Sequence, residues 1–408
     1  MKNLFTLYLG IIFCFFSTEL STAASYKAPT ILFLHHNTPY LAGMENHVLA
    51  SLQTFIQNGH QAFALVPPKS KIQALANTLG LPTIECDVLD GPGPALAQKL
   101  ALVCEKTGAN IIFCQRQTHL DAVNILKQHK IKVTSILKLH MHGISKVARF
   151  LNEHVRRHLW PDGIVCVNHH QLDAIRELEK KHKTKFRAVV HSPSFFLADR
   201  FPDFLPTTVR NDETLAKHFN ISTEGRPTFC MIGNMYANTQ HKNYPLLLKA
   251  LTILKTKWHD SYLCLIAGDG PHRPQIEALA NKLGLCNDVI FLGYTRKIPE
   301  LLNSCNFHVL SSSNESFGIA HVEAGLLNKA SIGATQTGAD DIIIDGVTGL
   351  IFKNSNAQDL ALKIHTLLSS KDLCKKLGEN AKSHIQANLS NQMKYKQHME
   401  LFKSLQIC

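Results

Sequence analysis

Beyond a short N-terminal stretch, no segment of the 408 residues approaches the ~20 consecutive apolar residues of a membrane-spanning helix, which excludes a polytopic membrane protein. There is no low-complexity tract and no internal repeat, so solenoid and propeller architectures are excluded. Glycine and proline are at ordinary levels, apolar residues make up 45% and charged residues only 18%; a disordered, collagenous or coiled-coil chain does not look like this. Several short motifs are also missing. Without G-x-G-x-x-G a dinucleotide dehydrogenase is unsupported, and without G-x-x-x-x-G-K-[ST] there is no P-loop. Without G-x-S-x-G the commonest α/β-hydrolase signal is gone. No aromatic–basic repeat occurs, and nucleic acid is not an expected partner.

What is present starts with charge. Basic residues exceed acidic ones by 12, and the excess is uneven: residues 26–200 hold 21 basic and 12 acidic side chains, residues 201–408 hold 21 and 18. The first half therefore has an anionic partner to account for, such as a membrane surface or a phosphorylated substrate. Residues 1–25 read as a secretory signal or short anchor: Lys2, the apolar stretch Leu4–Phe16, then small residues through Ser25. The cysteines point elsewhere. None of the 11 forms a C-x-x-C pair, and Cys104, Cys114, Cys166, Cys230 and Cys264 each end or interrupt an apolar run, which reads as buried free thiols of a reducing compartment. Two localisations stand: export or membrane association through the leader, and the cytoplasmic face of a membrane.

From Thr30 onward short β-branched runs alternate with amphipathic helical windows. The first block reads strand Thr30–Leu34, a loop carrying Gly43, helix Glu45–Gln57 closed by Asn58-Gly59, strand Gln61–Val66, and so on to strand Phe186–Val190. Residues 191–225, with Pro193, Pro202 and Pro206, break the rhythm and read as a linker. It restarts at strand Thr228–Ile232 and helix Tyr244–Lys257, and ends in three helices. Repeated βαβα implies parallel sheets covered by helices, and two blocks imply two such domains. The boundaries expected are leader 1–25, first domain 26–195 with a returning C-terminal helix 390–408, linker 196–225 and second domain 226–389.

In open α/β sheets ligands sit beyond the carboxyl ends of strands, facing helix N-termini. The richest such junction is Val309-Leu310-Ser311-Ser312-Ser313-Asn314-Glu315-Ser316-Phe317-Gly318, running into a helix that carries Glu323. Gly318 leaves room for close backbone approach, and Glu323 lies in a helix too apolar for a casual surface acid. Taken alone, Glu315 could simply complement the helix dipole and Glu323 pair with a neighbouring base. Glu315 and Glu323, however, make an E-x7-E that resembles the retaining GT-B glycosyltransferases of family 4. Leu265–Pro271, Val289–Tyr294, Thr337–Ile343 and Asp345–Phe352 resemble that family's segments in the same order, over about residues 228–370.

The resemblance implies a GT-B fold, two Rossmann-like domains facing a cleft, and a metal-independent retaining transfer of a sugar from a UDP- or GDP-sugar to a glycan, lipid or protein acceptor, with no cofactor and no bound metal. Glu323 would hold the ribose, Glu315 the transferred sugar, and the amides of Phe317, Gly318 and Ile319 the diphosphate or sugar. Lys242 would neutralise the leaving group, Tyr294 would lie along the base, Gly43 would approach from across the cleft, and His140 would be the cleft histidine. His140 and His142 form an H-x-H pair that could alternatively ligate a metal. Two residues depart from the family pattern: Asn234 stands where an arginine is usual, with Arg296 or Lys297 as candidate replacements, and Gly43 lacks a glycine neighbour. The absence of Asp-x-Asp disfavours the metal-dependent GT-A class. Two other readings are open, a catalytically degenerate GT-B binding module and a phosphorylase-like enzyme using inorganic phosphate. A basic amphipathic stretch, Arg149–Trp160, is a candidate membrane contact.

Overall fold

A computed structural model describes residues 28–35, 43–139, 161–182, 187–192, 211–236 and 242–407. The leader, His140, His142 and the Arg149–Trp160 stretch lie outside these. Two parallel sheets organise the chain. The first contains β1 (Thr30–Leu34), β2 (Ala62–Val66), β3 (Thr83–Glu85), β4 (Ala109–Cys114), β5 (Thr134–Leu139), β6 (Gly163–Cys166) and β7 (Val189–His191), in the order 3-2-1-4-5-6-7. Its described helices are α1 (Gly43–Gln57), α2 (Lys71–Thr78), α3 (Gly93–Thr107), α4 (Gln117–Gln128) and α5 (His169–His182). After α6 (Asn211–Phe219) comes the second sheet: β8 (Thr228–Ile232), β9 (Leu263–Ala267), β10 (Val289–Gly293), β11 (Phe307–Val309), β12 (Ala330–Ala334) and β13 (Gly349–Phe352), in the order 10-9-8-11-12-13. It carries α7 (Tyr244–Ile253), α8 (Arg273–Lys282), α9 (Ile298–Ser304) and α10 (Ile319–Leu326). The chain ends in α11 (Ala357–Leu368), α12 (Lys371–Asn388) and α13 (Asn391–Ser404).

Strands buried on both faces must be apolar throughout. All of β1 and β9 is buried accordingly, and Phe229 of β8 stacks on Phe307 of β11 with ring centroids 4.8 Å apart. The five cysteines expected in the core are buried and unpaired. In each sheet the order reverses beside its first strand, between β1 and β4 and between β8 and β11, and such a reversal opens a crevice at the strand ends. Helix α13 returns to the first sheet: Leu401, Phe402 and Leu405 join its core, Tyr395 hydroxyl meets His60 Nε2 at 2.8 Å, and Arg187 donates to the Leu405 carbonyl at 3.0 Å.

Three expectations need correction. Gly43 is the first residue of α1, not part of a loop. Within the segment read as a linker, residues 211–219 fold as α6, whose Leu215 is wholly buried against Leu301 and Leu302. Its Lys217 and His218 lie in the last turn, where cations suit the helix dipole, but upstream prolines dominated the reading. Helix α9 was also missed, because seven residues are too few to show a 3.6-residue period.

Candidate functional site

Strand β11 delivers the three serines to the reversal of the second sheet, and each has a structural task. Ser311 Oγ donates to the carbonyls of Lys242 and Asn243 at 2.8 and 3.1 Å, pinning the chain as it enters α7. Ser312 Oγ donates to Glu315 Oε2 at 3.3 Å, and the Ser313 carbonyl accepts from Asn354 Nδ2 at 2.9 Å. Lys242 and Glu315, 73 positions apart, meet in an ion pair of 2.6 Å, with 23% and 12% of their side chains exposed. A pair so sheltered is stronger than a surface one yet still within reach of a ligand.

Gly318 caps α10 with φ +92°, and a Cβ there would lie 2.7 Å from the His321 ring. Phe317 is buried and Ile319 half-buried at the first turn; Glu323, 8% exposed, sits further along the same helix. The Gly338 amide donates to the Glu315 carbonyl at 2.8 Å, and Gly338 leaves no room for a Cβ against Phe317 Cα. Asn168, from the end of β6, donates to the Ser316 carbonyl at 2.5 Å, so the first domain touches the Glu315 loop directly.

Asn234 is exposed just past β8, next to Gly233, whose Cβ position would crowd Lys242 Cδ at 3.2 Å. Tyr294 is 61% exposed after edge strand β10. Three strand spacings separate β10 from β11, about 14 Å at ~4.8 Å each. Gly43 opens α1 beside the reversal of the first sheet. The structure thus joins Lys242, Glu315, Phe317, Gly318 and Ile319 in one cluster, sets Asn234 on its border and Tyr294 at its far side. Lys297 reaches toward the His218 carbonyl at 3.5 Å, on α6.

Two buried histidines beneath this cluster were not foreseen. Burial pushes the His321 imidazole down to about 4, opposed by nearby Glu315 and aided by Lys242. His308, edge-on to it at 5.3 Å, is held well below its ordinary range by burial, with His321 and Lys242 adding to the effect. The only sequence signal was His321 standing among apolar helix residues. In the first domain, His398 is pushed down to about 3, first by burial and then by Lys138. Histidines that stay neutral in the fold but charge in the unfolded chain make the unfolded state bind more protons, so stability is full above pH ~6.5 and falls toward the folded values. We expect each of His321 and His398 to cost ~2 kcal/mol by pH 5. Urea unfolding at pH 7.5 and 5 should show the loss, and His321→Gln should shallow the pH dependence; an unchanged midpoint would contradict it. The sequence also gave no hint that His191 and Asp341 lie together with His169 across the domains.

Two parallel α/β domains whose strand ends carry facing loops are the GT-B architecture of glycosyltransferases. Anabaena HepE, solved in complex with UDP and glucose, superposes with a TM-score of 0.74 over 92% of this chain and all of that one, at 16% identity, a likeness of fold. Residues 213–384 match the family model Glycosyl transferases group 1, which covers most of α6 and of the second domain. Among curated relatives, the α-D-kanosaminyltransferase of Streptomyces kanamyceticus is 27% identical over 194 residues, 47% of this chain and 48% of that protein. The N-acetyl-α-D-glucosaminyl L-malate synthase of Bacillus anthracis is 26% identical over 299 residues, 71% and 74% of the two chains. The chain spans about a third to a half of the length of several other relatives it matches. Among the described residues no helix is long and apolar enough to cross a membrane.

Proposed function

We propose that this protein is a retaining glycosyltransferase of family 4 that moves a sugar from a UDP- or GDP-sugar to a glycan, lipid or protein acceptor. The observation that carries the reading is the Lys242–Glu315 pair at the β8/β11 reversal, ahead of a helix opened by Gly318. The donor would lie across the strand ends, with its base toward Tyr294, its ribose on Glu323 and its diphosphate at Lys242 and the first amides of α10. The positive end of that helix and the Lys242 ammonium stabilise charge growing on the departing diphosphate. No metal is needed at that position. Glu315 orients the sugar hydroxyls, and same-face attack by the acceptor, assisted by the leaving group, gives retention. His140 serves as the cleft histidine, and residues 26–195 with α13 form the acceptor domain. The basic excess of that domain and the 1–25 leader support work at an anionic membrane surface, each basic side chain near such a surface adding ~1 kcal/mol.

The test is binding of a nucleotide-sugar panel followed by hydrolysis and transfer assays. Glu323→Ala should weaken nucleoside diphosphate binding at least 10-fold, since losing hydrogen bonds to a carboxylate costs ~1.5–3 kcal/mol. Thermal unfolding should stay cooperative, and unchanged affinity would remove the ribose assignment. Asn234 favours a second reading, a module that binds without turnover. Saturable binding with neither hydrolysis nor transfer would establish it.

A further inference from the structure

The seam between the domains carries a side-chain cluster that the sugar chemistry does not use. His169 opens α5 just past β6, and His191 ends β7, one strand over, in register with Cys166. Asp341 comes from the other domain, at the end of a single 3-10 turn, Gly338–Asp341, after β12. The potential ligand atoms of these three residues all lie within 4.8 Å of one another. His169 Nδ1 contacts Asp341 Oδ1, and the His169 amide donates to Oδ2 at 3.0 Å. His191 Nε2 lies 3.6 Å from Oδ2, buried and without a hydrogen bond among the described residues. The two imidazoles are 4.0 Å apart, centroid to centroid.

The cluster sets a sheltered carboxylate against two imidazoles. Only 4% of the Asp341 side chain is exposed, and its ion-pair partners among the described residues are these two histidines, with no Lys or Arg. A buried carboxylate needs partners, and among the described residues no Lys or Arg supplies a fixed cation to this one. Two imidazole nitrogens and one carboxylate oxygen are the donors a borderline divalent ion such as Zn²⁺ takes, with a fourth position left to water. Bonds of ~2.0 Å set tetrahedral ligand separations of ~3.3 Å, within side-chain adjustment of the observed spread.

We propose that His169, His191 and Asp341 form a Zn²⁺-class site that clamps the first domain to the second. The clamp stands on the interdomain geometry and is independent of the glycosyltransferase reading. It is separate from the diphosphate position, yet it closes on the turn whose Gly338 amide holds the Glu315 carbonyl, beside the Asn168–Ser316 bond. A bound ion would therefore fix the relation of the two domains at the cleft. His170 pairs with Asp340 at 3.0 Å on the same seam but is outside the ligand set, which makes it the natural control.

The experiment uses the full chain, stripped with chelator and titrated with Zn²⁺ by calorimetry and with Co²⁺ by visible absorption. We expect one ion per chain, visible bands of four-coordinate Co²⁺, and unfolding raised by at least ~3 °C at saturating Zn²⁺. His191→Ala and Asp341→Asn should abolish the stoichiometric site and the thermal shift, and His170→Gln should keep both. His169→Gln, at a ring 62% exposed, tests the same loss in case the buried variants do not fold. No saturable binding, or one ion still bound by His169→Gln and His191→Ala, would overturn the proposal; in the second case the metal belongs elsewhere among the 23 histidines.

Discussion

Replacing Glu315 with glutamine is expected to lower sugar transfer by 10²–10³-fold while nucleoside diphosphate binding holds or tightens. On the proposed reading the two effects separate, because Glu315 would pair first with Lys242 and then with the sugar. In the free protein its carboxylate pairs with Lys242 at 2.6 Å and accepts from Ser312 at 3.3 Å. An incoming diphosphate must draw Lys242 away from that carboxylate, so part of the lysine's attraction for phosphate goes into breaking the pair. Glutamine keeps the shape and removes the charge, which frees Lys242 for the ligand. The transferred sugar, on that reading, would lose a charged acceptor for its hydroxyls as positive charge develops at the anomeric carbon. Loss of one such electrostatic contact raises the barrier by ~3–4 kcal/mol, which is the expected fall in rate. Calorimetric titration with UDP and GDP, alongside steady-state transfer, measures both quantities. Unchanged turnover, or a fall in affinity that accounts for the whole loss of rate, would show that Glu315 does not face the sugar. Lys242→Ala provides the contrast: it should weaken diphosphate binding and turnover together.

How much of this was legible beforehand depended on how local the cause was. Strands Thr30–Leu34 and Gly349–Phe352 could be read to the residue, because a continuous apolar run bounded by polar residues is a property of the segment itself. The Ser311–Gly318 junction was equally visible as chemistry: a buried strand, hydroxyls, an acid and a glycine. That Ser311 grips Lys242, or that Lys242 reaches Glu315, was not visible, because those contacts span 69 and 73 positions and are created by the strand order 8-11. The resemblance assigned Lys242 and Glu315 to the diphosphate and the sugar separately, and did not pair them. The cluster at His169 was hidden for the same reason and more completely: its partner Asp341 is 172 positions away, and no spacing rule links them. Helix α6 failed differently. Its buried anchor, Leu215, becomes decisive only because α9 offers Leu301 and Leu302 as a surface, so tertiary packing rather than periodicity makes it a helix.

Substituting Gly268 with alanine should be the most damaging single change to the fold, lowering the unfolding temperature by more than ~10 °C or leaving the chain insoluble. The reason is backbone against backbone. Gly268 follows β9 with φ +140°, a conformation L side chains rarely adopt, and a Cβ there would sit 1.7 Å from the Gly233 carbonyl oxygen and 2.7 Å from its carbon. No rotamer relieves such a clash, so the ends of β8 and β9 must part. Two bonds hold them together at that point, the Gly233 amide to the Ala267 carbonyl and the Met235 amide to the Asp269 carbonyl, each at 2.9 Å, and the Gly268 amide ties the end of β9 to the Gly293 carbonyl of β10 at 2.8 Å. Breaking buried backbone bonds at ~1–3 kcal/mol each, on top of the strained dihedral, places the cost above ~4 kcal/mol. The same movement displaces Gly233, whose carbonyl accepts from the Tyr244 hydroxyl at 2.6 Å and whose Cα faces Lys242, so donor binding should fail before global unfolding does. Gly284→Ala is the matched control. It too has positive φ, +69°, but nothing lies within 4 Å of its Cβ position, and only the ~1 kcal/mol left-handed penalty remains. Differential scanning calorimetry with nucleotide titration on both variants decides the matter: if Gly268→Ala melts and binds like Gly284→Ala, the close approach of β8 and β9 is not what holds the donor loop.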